Sequence, residues 1–231
     1  MRLDKFICKS TELTRTQAKR LLKTKQVMVD NVIAVSGALQ INEHQQIRLS
    51  GQLLALSQHR YLMLNKPLAT ICSNVDEQYP SILHCLDVPR AFDLRIAGRL
   101  DADTTGLVLL TDDGQWLHNV ISPNKHCYKR YRVTLGSPIS NDALQQLAQG
   151  VPLHGEKVLT QPAKVSKISD TEILLSIFEG KYHQVKRMLA AVGNSVIALH
   201  REQIGEITLT SDLAAGQWRS LTEDEIEHIQ T

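Results

Sequence analysis

A run of apolar residues beside a dense group of polar ones constrains the fold of this chain more than any other feature. Residues 107–110 read Leu-Val-Leu-Leu, and an uninterrupted apolar run of this kind predicts a buried strand. Residues 99–105, just before it, contain one arginine, two aspartates and two threonines. A surface loop would account for them. The alternative is that Asp101 is presented to a substrate at the mouth of a buried strand.

Composition indicates a globular protein large enough for two domains. Of the 231 residues, 42% are hydrophobic and 22% are charged. The sequence contains neither an apolar run near the ~20 residues that span a bilayer nor a secretory signal at its start. The cysteines form no CxxC pair, so we expect reduced thiols in a cytoplasmic protein rather than metal ligands or disulfides. They are Cys8, Cys72, Cys85 and Cys127.

Charge is distributed unevenly along the chain. Residues 1–56 carry nine Lys or Arg against four Asp or Glu, whereas the remaining residues carry seventeen against twenty. A basic segment joined to a nearly neutral body favours a polyanionic partner that is held at one end.

The basic segment has the pattern of a small αβ unit. We predict a short helix over 2–9 and a second helix that begins with the capping box of Thr14 and Gln17. Residues 26–35 predict a hairpin and 47–51 a short strand. The second helix places three basic side chains on the face opposite its apolar stripe. They are Arg15, Lys19 and Lys23.

This segment resembles the S4-type RNA-binding domain. The resemblance rests on RLDKF at 2–6, TRTQAKRLL at 14–22 and VMVDN at 27–31. It implies an RNA-binding domain over 1–56, followed by a linker over 57–60. A solvated, lysine-rich helix face is the alternative explanation of the basic residues. The side chains expected to contact RNA are Arg2, Lys5, Arg15, Lys19 and Lys23.

The rest of the chain, 61–231, predicts a second domain of the α+β class. The strands are expected at 61–67, 107–110, 131–135 and 173–178, with two more after residue 195. Helices are expected at 115–122, 140–150 and 183–193, and a capping box at Thr222 and Glu225 begins another. Because strands and helices do not alternate as regular βαβ units, we expect a mixed, mainly antiparallel central sheet flanked by helices.

Four motifs in this second domain resemble those of the pseudouridine synthases, and among them the RsuA family. The family pattern R-L-D-x-x-T-[ST]-G-L is complete as RLDADTTGL at 99–107. The strand ending in NKP stands at 65–67, and K-x-Y matches 129–131. The pattern E-G-R-x-x-Q-[IV]-R-R-M reads EGKYHQVKRM at 179–188, with lysine in place of arginine at 181 and 186.

The resemblance implies isomerisation of uridine to pseudouridine, with breakage of the C1′–N1 bond and joining of C5 to C1′. Asp101 would be the catalytic carboxylate, either attacking C1′ or removing the 2′ proton. A carboxylate in a closed pocket needs an opposing cation, for which Lys186 is the candidate. Tyr131 would stack on the uracil and relay a proton. The reaction needs no group donor and no redox change, so we expect neither a cofactor nor a metal.

Further residues are expected to bind a nucleotide flipped out of its RNA. Thr104, Thr105 and Gly106 would form the turn that aims Asp101, and Asp103 is either a turn residue or a group that tunes Asp101. His183 would contact phosphate or merely begin its helix. The predicted substrate-binding side chains are Arg99, Asn65, Lys66, His183 and Arg187.

The chain length and the S4-like segment favour 16S rRNA or a small-subunit assembly intermediate as the substrate. By the same resemblance, the target is uridine 516 in conventional 16S numbering, and the enzyme is a monomer without membrane contact. The alternatives are a 23S rRNA enzyme of the same family and a non-catalytic S4-type RNA-binding protein. Residues 101–105 also satisfy the phosphatase signature D-x-D-x-[TV], but here the apolar strand follows the acid instead of preceding it.

Overall fold

The chain divides into two compact units, Met1–His59 and Arg60–Thr231, in a computed structural model. The structure describes residues 1–11, 13–42, 44–55 and 59–229. The boundary between the units falls within 57–60, the stretch expected to be the linker. Residues 57 and 58 of that stretch lie outside the described residues.

The N-terminal unit packs two helices against a small antiparallel sheet. The helices are α1 (Leu3–Ser10) and α2 (Arg15–Lys23); the strands are β1 (Val27–Val29), β2 (Val32–Ile33), β3 (Ile47–Leu49) and β4 (Gln52–Leu53). The sheet order is β2-β1-β3-β4. The capping box is confirmed, because Thr14 accepts from the Gln17 N–H and Gln17 Oε1 accepts from the Thr14 N–H. The hairpin is confirmed as well, with Val29 paired to Val32.

The C-terminal unit is built around one mixed sheet. Its strands are β5 (Tyr61–Lys66), β6 (Arg95–Ala97), β7 (Thr104–Thr111), β8 (Lys129–Leu135), β9 (Lys164–Ser169), β10 (Glu172–Ile177), β11 (Val196–Ile204), β12 (Ile207–Thr208) and β13 (Trp218–Ser220). The order is β13-β5-β7-β11-β8-β10-β9, with β6 on β7 and β12 on β11. Antiparallel pairing predominates and β7 with β11 is parallel, so the α+β prediction is confirmed.

Helices and apolar side chains cover this sheet. The α-helices are α3 (Gly114–Ile121), α4 (Asn141–Gln149), α5 (Gln184–Ala191) and α6 (Glu223–Glu227); 3-10 turns cover Ile82–Cys85, Ala91–Asp93 and Pro123–Lys125. The predicted strand at 107–110 is fully buried and extends over the whole of β7. It lies between β5 and β11, so alternate side chains enter cores on opposite faces of the sheet.

The loop before β7 differs from the sequence prediction. The turn that follows Asp101 closes when the Thr104 N–H donates to the Asp101 carbonyl at 3.1 Å. Thr104, Thr105 and Gly106 therefore belong to the strand, not to the turn. Gly106 has φ +105°, and a Cβ there would lie 2.3 Å from the Arg201 carbonyl oxygen. A glycine is required at this position because β11 passes so close.

Candidate active site

The loop that carries Asp101 is held from beneath by a buried lysine. Lys66, at the end of β5, is 0% exposed, and its ammonium donates to the carbonyls of Pro67, Ala102 and Thr104 at 3.0, 3.4 and 2.9 Å. Burial lowers the pKa of Lys66, opposed by nearby acidic groups that include Asp103 and Asp101. The three acceptors match the three donors of an ammonium, so the loop backbone is fixed on both sides of Asp103.

Helix α5 brings a second group of side chains to this loop. The Lys186 Nζ lies 2.9 Å from Asp101 Oδ2 and 2.6 Å from Asp103 Oδ1. His183, just before the helix, places Nε2 3.4 Å from Asp101 Oδ1. The sequence motifs around residues 101 and 186 therefore meet in space, as their shared family pattern predicted.

Electrostatics around Lys186 favour its charged form. Partial burial acts to lower the pKa of Lys186, but hydrogen bonds and Coulomb attraction from Asp103 and Asp101 outweigh it and leave the pKa raised. The same hydrogen bond from Lys186 lowers the pKa of Asp103. One ammonium is thus shared by two carboxylates, and Asp103 forms part of the cluster rather than only a turn.

Tyr131 lies on β8 beside a buried arginine of β11. The Arg201 side chain donates through Nε to the Leu107 carbonyl at 2.8 Å and through Nη2 to the Gly98 carbonyl at 3.1 Å. Its Nη1 lies 3.5 Å from the Tyr131 hydroxyl. Only 2% of Arg201 is exposed. The guanidinium therefore ties the strand β7, the Asp101 loop and the tyrosine together.

These groups line one cavity of about 620 Å³, within the usual size of a small-molecule site. Of the predicted site residues, the cavity is lined by Asp101, Tyr131, Lys186, Arg99 and His183. Sequence analysis missed Arg201, which also lines it. A single arginine within a strand has no pattern of its own that distinguishes it from an exposed one.

Three predicted substrate-binding residues do not line this cavity. Lys66 is enclosed by backbone carbonyls, so the predicted contact with substrate is corrected to a structural role beneath the loop. Asn65 donates its amide to the Leu213 carbonyl and lines a different cavity. Arg187 donates to the carbonyls of Tyr182 and His154, because the second basic residue of the motif turns away from Lys186 along the helix.

In the N-terminal unit, the predicted RNA contacts are of two kinds. Lys5, Arg15, Lys19 and Lys23 are exposed, the last three on α2. Arg2 instead makes a two-pronged contact with the nearly buried Asp4, at 3.0 and 2.7 Å. That pairing offsets its charge, which gives Arg2 a role inside the unit.

The described ranges contain no group of three or more His, Cys, Asp or Glu side chains placed to hold a metal ion. None of the helices in the described part of the chain has the length and apolarity needed to cross a bilayer.

Comparison with known proteins agrees with this geometry. Residues 60–191 match the family model of RNA pseudouridylate synthases, so the chain belongs to that family of isomerases. Similarity along the whole chain then narrows the assignment to the RsuA family. The chain is 51% identical to "Ribosomal small subunit pseudouridine synthase A" of Escherichia coli K12, covering 99% of this chain and 100% of that protein.

Other relatives give the same result. The protein of the same name from Yersinia pestis is 51% identical over 99% of this chain and 98% of its own length. The Vibrio cholerae protein is 50% identical over 99% of both. A crystal structure described as a pseudouridylate synthase superposes with a TM-score of 0.72 at 46% identity, covering 99% of each chain.

Proposed function

We propose that this protein converts one uridine of 16S rRNA to pseudouridine, with Asp101 as the catalytic carboxylate. The observation that carries the proposal is the ion pair between Lys186 and Asp101 inside the cavity that Tyr131 and Arg201 also line. The relatives named for the ribosomal small subunit support this class of RNA over 23S rRNA.

The chemistry follows from these positions. Asp101 acts on the ribose of the flipped nucleotide, and the C1′–N1 bond breaks. Asp101 either attacks C1′, forming a C1′–O bond that breaks when C5 joins C1′, or removes the 2′ proton, which returns to C2′ when C5 joins C1′. The uracil turns, C5 joins C1′, the C5 proton leaves, and N1 takes up a proton. Lys186, whose ammonium lies 2.9 Å from the carboxylate, holds Asp101 in place and supplies the opposing positive charge. Tyr131 stacks on the uracil and relays a proton, and Arg201 holds the hydroxyl of Tyr131.

The charge of the cavity suits a nucleotide with its phosphates. Among the described residues that line it, five are Lys or Arg and two are Asp or Glu. Arg99 is exposed at the cavity, where it can hold the backbone of the flipped nucleotide. His183, beside Asp101, can bind phosphate on the other side of the same carboxylate.

The N-terminal unit is proposed to be the S4-like RNA-binding domain, with residues 57–60 as the linker and 61–231 as the catalytic domain. Its support is the exposed basic face of α2 and its own apolar core. We further propose a monomeric cytoplasmic enzyme that acts on 16S rRNA at uridine 516 or on a small-subunit assembly intermediate.

The test is tritium release from C5-labelled uridine in a 16S rRNA transcript, with Asp101→Asn as the matched variant. The wild-type protein is expected to release tritium and Asp101→Asn to release none. Mapping of the product then identifies the uridine. Release from 23S rRNA alone would overturn the substrate, and tight RNA binding without release from either RNA would favour the non-catalytic alternative.

A further inference from the structure

The most exposed aromatic side chain stands at the rim of the active-site cavity. Tyr182 is 76% exposed, the largest fraction among the exposed large hydrophobic side chains that the structure describes, yet it lines the same cavity as Asp101. Its ring lies parallel to the imidazole of His183, with centroids 3.8 Å apart and an interplanar angle of 21°. One face of Tyr182 is therefore supported, while most of the ring remains open to solvent.

The backbone on both sides of this stacked pair is held in place. Arg187 Nη1 donates to the Tyr182 carbonyl at 3.1 Å. Gln184 Oε1 accepts from the Lys181 N–H at 2.8 Å, and its Nε2 donates to Glu179 at 2.6 Å. Polar contacts thus fix the segment just before α5 and do not depend on burial of the Tyr182 ring.

His183 connects the pair to the reacting centre. Its Nε2 lies 3.4 Å from Asp101 Oδ1, and its φ of +45° is a left-handed conformation that side chains rarely adopt. This conformation turns the chain so that the imidazole lies between the catalytic carboxylate and the outer tyrosine. The two stacked rings consequently connect the Asp101 carboxylate to the rim of the cavity.

An RNA substrate supplies a partner for such a surface. Turning a uridine out of its stack leaves the neighbouring bases without one of their stacking partners, and an aromatic side chain binds an unpaired base through its π-face whatever its sequence. We infer that Tyr182 stacks on an unpaired base adjacent to the target uridine, and that His183 supports the other face of the Tyr182 ring. This inference rests on the proposed function. Tyr182 is then an RNA-binding residue that holds the strand while Asp101 reacts.

The kinetic test compares Tyr182→Ala, Tyr182→Phe and Tyr182→Trp on the rRNA transcript. If the ring stacks, the alanine variant raises KM roughly 10- to 100-fold with kcat within about 3-fold of wild type, whereas Phe and Trp retain the wild-type KM. Tyr79→Ala is the matched control, because that tyrosine is exposed but does not line the cavity. A wild-type KM for Tyr182→Ala, or an equal loss with Phe, would overturn the inference.

A fluorescence measurement separates this inference from the proposed reaction. RNA carrying 2-aminopurine on either side of the target uridine is bound to the Asp101→Asn protein, which leaves Tyr182 in place. Stacking is expected to quench the probe at one of the two positions, and Asp101→Asn combined with Tyr182→Ala is expected to restore its emission. Identical emission with both proteins would refute the stacking site even if tritium release establishes the reaction. Quenching by the Asp101→Asn protein, with no tritium release by the wild-type protein, would support the stacking site and reject the reaction.

Discussion

The ammonium of Lys186 lies 2.9 Å from the carboxylate of Asp101, although 85 positions separate the two residues in the sequence. The pair forms because α5 and the loop before β7 meet at one end of the sheet. The family pattern often has arginine at position 186, where lysine offers a point charge instead of a planar fork. Here the ammonium also contacts the carboxylate of Asp103, at 2.6 Å.

Replacement of Lys186 by methionine is expected to lower kcat by roughly 100-fold, because the charge that develops at the reacting centre in the transition state loses the cation positioned beside it. Lys186→Arg keeps the charge and is expected to recover a large part of the activity. Because Lys186 is partly exposed, the methionine variant should lose no more than about 1 kcal/mol of stability. Thermal unfolding measures this difference. A methionine variant that fails to fold would instead identify Lys186 as a structural charge.

Asp103→Asn tests whether the second carboxylate positions Lys186. Removal of one of the two negative charges leaves the ammonium less firmly held, so we expect kcat to fall roughly 10-fold with KM little changed. Asp103→Glu is the conservative variant that should restore part of the activity. An Asp103→Asn protein with wild-type kcat would show that Asp101 alone holds the lysine.

The stability difference between wild type and the same variant, Asp103→Asn, is expected to depend on pH. The lowered pKa of Asp103 gives a contribution that is present above 3.8 and lost as pH falls through the lowered value. The raised pKa of Lys186 gives one that is present below 10.5 and lost at higher pH. The difference in melting temperature between wild type and Asp103→Asn should therefore shrink as the pH falls below 3.8 and as it rises above 10.5. A difference that stays the same below pH 3.8 would contradict the pairing.

Local signals in the sequence were sufficient for the elements that begin with a cap. The Thr14 box and the Thr222 box both stand where predicted, because each depends on residues three positions apart. Strand β9 was missed because it is a polar, mostly exposed edge strand without alternation. Its pairing with β10 is a hairpin across Asp170 and Thr171, and these two residues give neither the Asn-Gly nor the Asp-Gly turn signal.

The site depends both on local motifs and on contacts between residues that are distant in the sequence. Asp101, Tyr131 and Lys186 were identified from motifs, and the structure brings all three to one cavity. Lys66 was predicted to bind substrate because it belongs to the NKP motif, one of those that carry the family resemblance. The ammonium instead donates to the carbonyl oxygens of Ala102 and Thr104, and both of these residues lie more than 30 positions away.

Lys66→Met is expected to destabilise the protein by about 2–4 kcal/mol, because buried carbonyl groups lose their donor. It should also lower kcat, since the backbone on either side of Asp103 is released. Urea unfolding and tritium release measure the two effects. Lys157→Met, at an exposed lysine, is the matched control and should change neither. Wild-type stability in Lys66→Met would show that water replaces the ammonium without loss.

Arg201→Lys is expected to separate the structural and catalytic contributions of the buried guanidinium. A lysine keeps the charge but cannot bond the carbonyls of Leu107 and Gly98 and approach the Tyr131 hydroxyl at the same time. We expect roughly a 10-fold loss of kcat and a stability loss of about 1–3 kcal/mol. If Tyr131→Phe and Arg201→Lys act through the same contact, the double variant should lose no more kcat than the worse single variant. Additive losses would show that Arg201 does not act through the tyrosine.

The basic face of α2 is expected to make RNA binding depend on the salt concentration. Changing Arg15, Lys19 and Lys23 to glutamine removes three exposed charges without touching the apolar core of the unit. If all three contact phosphate, the slope of log K against log salt should fall by about 2–3, because fewer counterions are displaced on binding. Gln substitution of Lys164 and Lys167 on β9 provides a control that should leave the slope unchanged. An unaltered slope in the α2 variant would mean that its basic residues form a solvated face and that RNA is held elsewhere.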